Sequence, residues 1–128
     1  MLDTQVLLWW MEGSARLGAV ARETLSSRDS IVWVSAVAVW EIAIKAALGR
    51  LTMREAPEVA VPRVLELSGF RRLEITIEHA LAVRLLPHHH GDPFDRMLVS
   101  QASLEGLRLV TADGIFDRYG VDVLNASR

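Results

Sequence analysis

Apolar positions along this chain follow two rhythms. Ile31-Val32-Trp33-Val34 is apolar without interruption, the pattern of a short strand buried on both faces of a parallel sheet. Leu107 to Thr111 and Val121 to Leu124 read the same way, Arg72 to Ile75 forms a further strand, and Met1-Leu2 is a stub ending at Asp3. Between these runs the spacing is helical. Thr4 to Met11, Arg16 to Leu25, Ala36 to Leu48, Pro57 to Leu67, Glu78 to Leu86 and Phe94 to Glu105 each carry an apolar stripe. Punctuation agrees: Ser35 and Thr76 suit helix starts, and Gly49, Gly69 and Gly106 suit helix ends. Pro62 marks a kink or the true start of its helix, and Gly114 to Tyr119 reads as a short helical turn.

Strands alternating with helices predict an α/β domain with a mostly parallel sheet of four to five short strands. No repeat, low-complexity stretch or linker interrupts residues 1–128, so one domain is expected. In open sheets of this class, ligands sit beyond the carboxyl ends of the strands. The polar residues at those ends are therefore the candidates for function.

Composition narrows the classes. With 16 acids against 14 bases the net charge is −2, which excludes a generally basic coat and makes any attraction for polyanions local. Lys45 is the only lysine among the bases. The absence of cysteine excludes disulfides and thiolate metal sites, and it fits a reducing cytoplasm. Met1-Leu2-Asp3 lacks the basic start of a signal peptide, and no apolar run is long enough for a membrane span. Hydrophobic residues make up 51% of the chain, a surplus that points to a partner-facing surface.

Four acids stand where the fold class puts chemistry. Asp3 ends the first stub, Asp113 follows the strand Leu107–Thr111, Asp95 opens a helix, and Glu41 interrupts the stripe Val37, Ile44, Leu48. Each has a plain alternative. Asp3 and Asp113 suit N-caps, Asp95 suits the positive end of a helix dipole, and Glu41 can pair with Lys45 one turn on. Asp92-Pro93 is a helix start in its own right. Gathered at one edge, however, these carboxylates would repel and raise one another's pKa, a conflict that a hard divalent cation removes. An oxygen-only donor set without cysteine favours Mg²⁺ or Mn²⁺ over zinc, and the chemistry usual for such a site is phosphoryl transfer.

Four blocks then occur in order: Leu2-Asp3-Thr4-Gln5-Val6-Leu7-Leu8-Trp9; Val34-Ser35-Ala36 with Trp40-Glu41-Ile42-Ala43-Ile44-Lys45; Leu86-Pro87 through Asp92-Pro93-Phe94-Asp95-Arg96; and Leu109-Val110-Thr111-Ala112-Asp113. Over its whole length the chain resembles PIN-domain ribonucleases, specifically the VapC-type toxins of type II toxin–antitoxin pairs. The resemblance implies a three-layer α/β/α PIN domain and a Mg²⁺- or Mn²⁺-dependent endoribonuclease. It further implies an RNA substrate, a cognate VapB-type antitoxin and a homodimer. By matching position, Asp3, Glu41, Asp95 and Asp113 would hold the metal and carry catalysis, with Asp92 in second rank. Ser35 and Thr111 would orient water or acids, Arg96 would touch phosphate or pair with a carboxylate, and Lys45 would balance the acidic site. Relatives carry several more residues ahead of the first aspartate, so the first strand reads as truncated here. Gln5, Ala38 and Gly91 also depart from residues more usual in the family.

Three rival functions stand against this one. A phospho-acceptor signalling module would need an acidic pair at the first strand and a late lysine, and the chain has neither. A PIN fold without activity, serving as a binding partner, is opposed by retention of all four acids. An Asp-x-Asp phosphatase is disfavoured by Gln5. The run His88-His89-His90 is read as a solvated loop, because adjacent histidines do not face one centre. Trp9, Trp10 and Trp40, in apolar helical settings, are read as core or interface.

Overall fold

A polar residue that takes a helix's first free N–H also ends the strand before it, and this device sets the scale of the sheet. The computed structural model describes residues 1–128. Its strands are three residues each: β1 (Trp33–Ser35), β2 (Arg71–Leu73), β3 (Leu109–Thr111) and β4 (Val123–Asn125). Ser35 closes β1 and caps α3 (Ala36–Ala47) by accepting from Val37 N–H. Asp3 follows the stub and caps α1 (Thr4–Glu12) through Val6 N–H. The remaining helices are α2 (Ala19–Ser26), α4 (Pro57–Ser68), α5 (Ile77–Ala82) and α6 (Pro93–Glu105).

All pairing is parallel. β1 lies beside β2 with Val34 opposite Arg72, and β3 lies beside β4 with Val110 opposite Leu124. Met1-Leu2 joins the two pairs. Leu2 N–H reaches Trp33 O at 3.1 Å, Val110 N–H reaches Met1 O at 2.8 Å, and Asp3 N–H reaches Val110 O at 3.1 Å. The order across the molecule is therefore β2, β1, Met1-Leu2, β3, β4. The two-residue stub lies at the centre.

Alternation along the strands divides the interior between two faces. Leu2, Val34 and Val110 join Val6, Leu7, Ala21, Ile42 and Leu65 in one core. Met1 and Leu109 join Leu98, Val99, Ala102 and Phe116 in the other, against α6. Helices on both faces of a parallel sheet are the α/β/α arrangement expected from the sequence.

Several boundaries differ from expectation. β1 begins at Trp33, because Ile31 is 60% exposed and offers the sheet nothing. α2 begins at Ala19, not Arg16, after Gly18 in extended conformation. β2 ends at Leu73 rather than Ile75, and β4 begins at Val123 rather than Val121. The helix capped by Thr76 tightens after Ala82 into a 3-10 turn over Val83–Leu85 ahead of Pro87. Pro57, not Pro62, opens α4, and the helix runs through Pro62.

Candidate active site

The carboxyl ends of the central strands and the amino ends of α1 and α6 enclose a cleft of about 390 Å³. Asp3, Glu41, Asp92, Asp95 and Asp113 all line it, together with Thr4, Gln5 and Lys45. Five carboxylates drawn from sequence positions 3 to 113 thus share one concavity, and Lys45 is its one cation.

Asp3 is buried, at 6% exposure. One of its oxygens accepts from Val6 N–H at 2.7 Å and the other from the Thr111 hydroxyl at 2.5 Å. Burial dominates its acidity and pushes the carboxyl from 3.8 up to about 6; the two hydrogen bonds oppose that rise, and the charges of Asp95 and Asp113 add to it. Thr111 holds two acids at once, because its oxygen also accepts from Asp113 N–H at 3.0 Å. Asp113 in turn caps the 3-10 turn Gly114–Tyr119 through Ile115 N–H.

Glu41 is buried yet fully satisfied. It accepts from the Thr4 hydroxyl at 2.6 Å and from Lys45 Nζ at 2.6 Å. Its pairing with Lys45 and its place in the cleft coexist. Asp92 is the α6 cap, accepting from Asp95 N–H at 2.9 Å. The Asp95 carboxyl is raised above its ordinary value, first by burial and then by the charges of Asp92 and Glu41. A hydrogen bond from His90 works the other way. Capping and clustering therefore operate in the same side chains, and the cap alternative does not displace the cluster.

Two secondary candidates need correction. Ser35 faces no acid: its hydroxyl caps α3 and donates to Gln101 Oε1 inside the protein. Arg96 pairs with no carboxylate and is 9% exposed. Its guanidinium donates to the carbonyls of Pro87, Val83 and Leu86 and to Tyr119 Oη, so it fastens the loop before α6. Those carbonyls gather the guanidinium's donors, so the charge turns inward rather than toward the cleft. Replacing Ser35 with alanine is accordingly expected to cost about 1–3 kcal/mol through the lost cap and the orphaned Gln101 oxygen. Cleavage per folded molecule should be unchanged, as checked by urea denaturation beside an RNA assay.

Sequence reasoning passed over Thr4, which fixes Glu41, and His90, whose Nε2 lies 3.1 Å from Asp95 Oδ2. Thr4 was within reach, since a hydroxyl next to a strand-end acid is placed to face the same cleft. His90 was not: its second partner, Tyr119 Oη at 2.6 Å, lies 29 residues away. The solvated-loop reading therefore fails for His90. Trp9 and Trp10 are packed as expected, whereas Trp40 is 57% exposed and lies edge-on to Phe94.

The donor chemistry fits a hard divalent cation. Every acidic donor in the cleft is a carboxylate, and their mutual repulsion is relieved by positive charge. No three Asp, Glu or His side chains meet closely enough to ligate one ion directly. The arrangement suits one or two direct carboxylates and a water-filled shell bonded to the others, a common form for Mg²⁺.

Comparison with known proteins agrees with this geometry. A PIN domain family model matches residues 1–122. Ribonuclease VapC22 of Mycobacterium tuberculosis is 30% identical over 118 residues, spanning 88% of this chain and 85% of that protein. FitAB bound to a DNA fragment shares the fold at a TM-score of 0.73 and 21% identity, covering 99% of this chain and 94% of that one. VapBC2 from Rickettsia felis, bound to a promoter DNA fragment, has a TM-score of 0.73 at 15% identity, covering 98% and 96%. FitAcB from Neisseria gonorrhoeae has a TM-score of 0.62 at 21% identity, covering 98% and 96%. On the match along nearly its whole length, and on its likeness to a VapC ribonuclease, this chain belongs to the PIN-domain family and within it to the VapC-type ribonucleases.

Proposed function

We propose that this chain is the toxin of a type II toxin–antitoxin pair and cleaves RNA as a Mg²⁺- or Mn²⁺-dependent endoribonuclease. The observation that carries the reading is the shared cleft of Asp3, Glu41, Asp95 and Asp113, which Asp92 also lines. A divalent cation held there supplies Lewis acidity toward the scissile phosphate and lowers the pKa of water. The chain's own groups do the positioning. Thr111 and Val6 N–H fix Asp3, His90 holds one oxygen of Asp95, and Thr4 with Lys45 fixes Glu41. The reaction class is hydrolysis at phosphorus, leaving a 5′-phosphate and a 3′-hydroxyl without help from the ribose 2′-OH.

Asp3 argues against the phospho-acceptor alternative, since both its oxygens are engaged and the side chain is buried. A VapB-type antitoxin would silence the enzyme; VapBC2 from Rickettsia felis, a structural neighbour, is a complex of that name. The exposed Ile77, Leu81 and Leu85, at 75%, 70% and 81%, support a homodimer. No helix is long and apolar enough to cross a membrane. A cytoplasmic location belongs to the same proposal, since that is where its RNA substrate would be met.

The test is cleavage of end-labelled RNA by the purified chain with Mg²⁺, with Mn²⁺ and with EDTA. Cutting should require the cation and leave 5′-phosphate ends. Undiminished cutting in EDTA, or 2′,3′-cyclic products, would remove the metal-dependent reading. If the preceding reading frame encodes a short DNA-binding protein, its co-expression should suppress toxicity.

A further inference from the structure

A directed chain of hydrogen bonds runs from α6 through the turn Gly114–Tyr119 to His90 in the loop before α6, and ends on Asp95. It begins at Arg96, whose guanidinium only donates. Arg96 Nη1 lies 3.1 Å from Tyr119 Oη, so the phenol oxygen accepts there and its own proton is left to donate elsewhere. The neighbour available to that proton is His90 Nδ1, at 2.6 Å. A neutral imidazole that accepts at one nitrogen carries its proton on the other. Nε2–H of His90 therefore points at Asp95 Oδ2, 3.1 Å away.

We propose that His90 is a positioning residue for the cleft, held as the Nε2–H tautomer by Tyr119 and Arg96 so that it fixes the orientation of the Asp95 carboxylate. Asp95 Oδ1 accepts no hydrogen bond within the protein and is left to face an ion or its water. The arrangement resembles the hydrogen bonds that orient metal ligands from behind, with the imidazole as the outer partner of a carboxylate. The surroundings are built for it. Arg96 ties down the carbonyls of Val83, Leu86 and Pro87, and Tyr119 lies edge-on between His89 and His90 at 4.8 and 5.5 Å. The role rests on the nuclease reading only for its catalytic consequence; the tautomer and the effect on cation binding do not need it.

Three measurements on the intact chain test the proposal. Long-range ¹H–¹⁵N spectra near pH 8, above the usual imidazole range of about 6.5, should show His90 as the Nε2–H tautomer. Tyr119→Phe should redistribute that tautomer. Affinity for Mn²⁺ alone, read from the electron paramagnetic resonance of free Mn²⁺, should fall about tenfold in His90→Ala. His90→Gln, whose amide N–H can still reach Asp95, should recover part of the loss. Where RNA is cut, His90→Ala should lower kcat and leave KM within about twofold, an effect confined to the reacting centre. A wild-type Nδ1–H tautomer, or Mn²⁺ affinity unchanged in a folded His90→Ala protein, overturns the proposal. A wild-type chain that shows these spectra and affinities but cuts no RNA overturns the nuclease reading alone.

Discussion

Replacing Asp95 with asparagine should lower RNA cleavage by about 10³-fold or more while leaving the protein folded. Asparagine keeps the size of the side chain and an oxygen for His90 to donate to, and it removes only the charge. The carboxylate is raised above its ordinary pKa chiefly by burial, with Asp92 and Glu41 adding repulsion. Held ionised at neutral pH, it therefore costs folding free energy, and its neutral replacement should not lower the melting temperature in EDTA. Activity and stability are thus expected to separate in one variant. Single-turnover cleavage beside thermal denaturation reads both. Full cleavage by the variant would remove Asp95 from the reaction, whereas loss of the folded transition would show that Asp95 serves architecture.

How much of this was visible in the chain depends on the range of the interaction. Helix starts at Ser35, Thr76 and Asp92-Pro93 were legible because a cap and its partner N–H lie two or three residues apart. The four acids were legible because each ends or begins an element, and the fold class brings those ends together. Three-residue strands were harder: a run that short has no measurable period, so Ile31 looked like part of β1 although it faces solvent. Met1-Leu2 looked like a remnant. Its central place comes from pairing with Trp33 and Val110, contacts that nothing local announces. Arg96 and His90 misled for the same reason. One looked like a phosphate ligand and the other like loop, until Tyr119 and the carbonyls of residues 83–87 came into reach.

Asp3→Asn is expected to make the metal-free protein more stable as it abolishes cleavage. The Asp3 carboxyl is raised from 3.8 to about 6, with burial outweighing the bonds from Thr111 and Val6. A folded-state pKa above the unfolded value means that the protonated side chain stabilises the fold. That contribution is complete below about pH 4 and is lost as pH rises through 6. At pH 7 the wild-type protein has forgone about 3 kcal/mol relative to a neutral group of the same shape. Asparagine approximates that group, because its oxygen can accept from Val6 N–H while its amide meets the Thr111 hydroxyl. The variant and the wild-type should melt together near pH 4 in EDTA and diverge above pH 6, with the variant several degrees higher. Mg²⁺ should reverse the order by binding only the wild-type cleft tightly, since a ligand stabilises the state it binds. Two sets of melting curves across pH, with and without the cation, read all of this. A variant less stable than wild-type at pH 7 in EDTA would mean that Asp3 holds the sheet centre to α1 more than it awaits a cation.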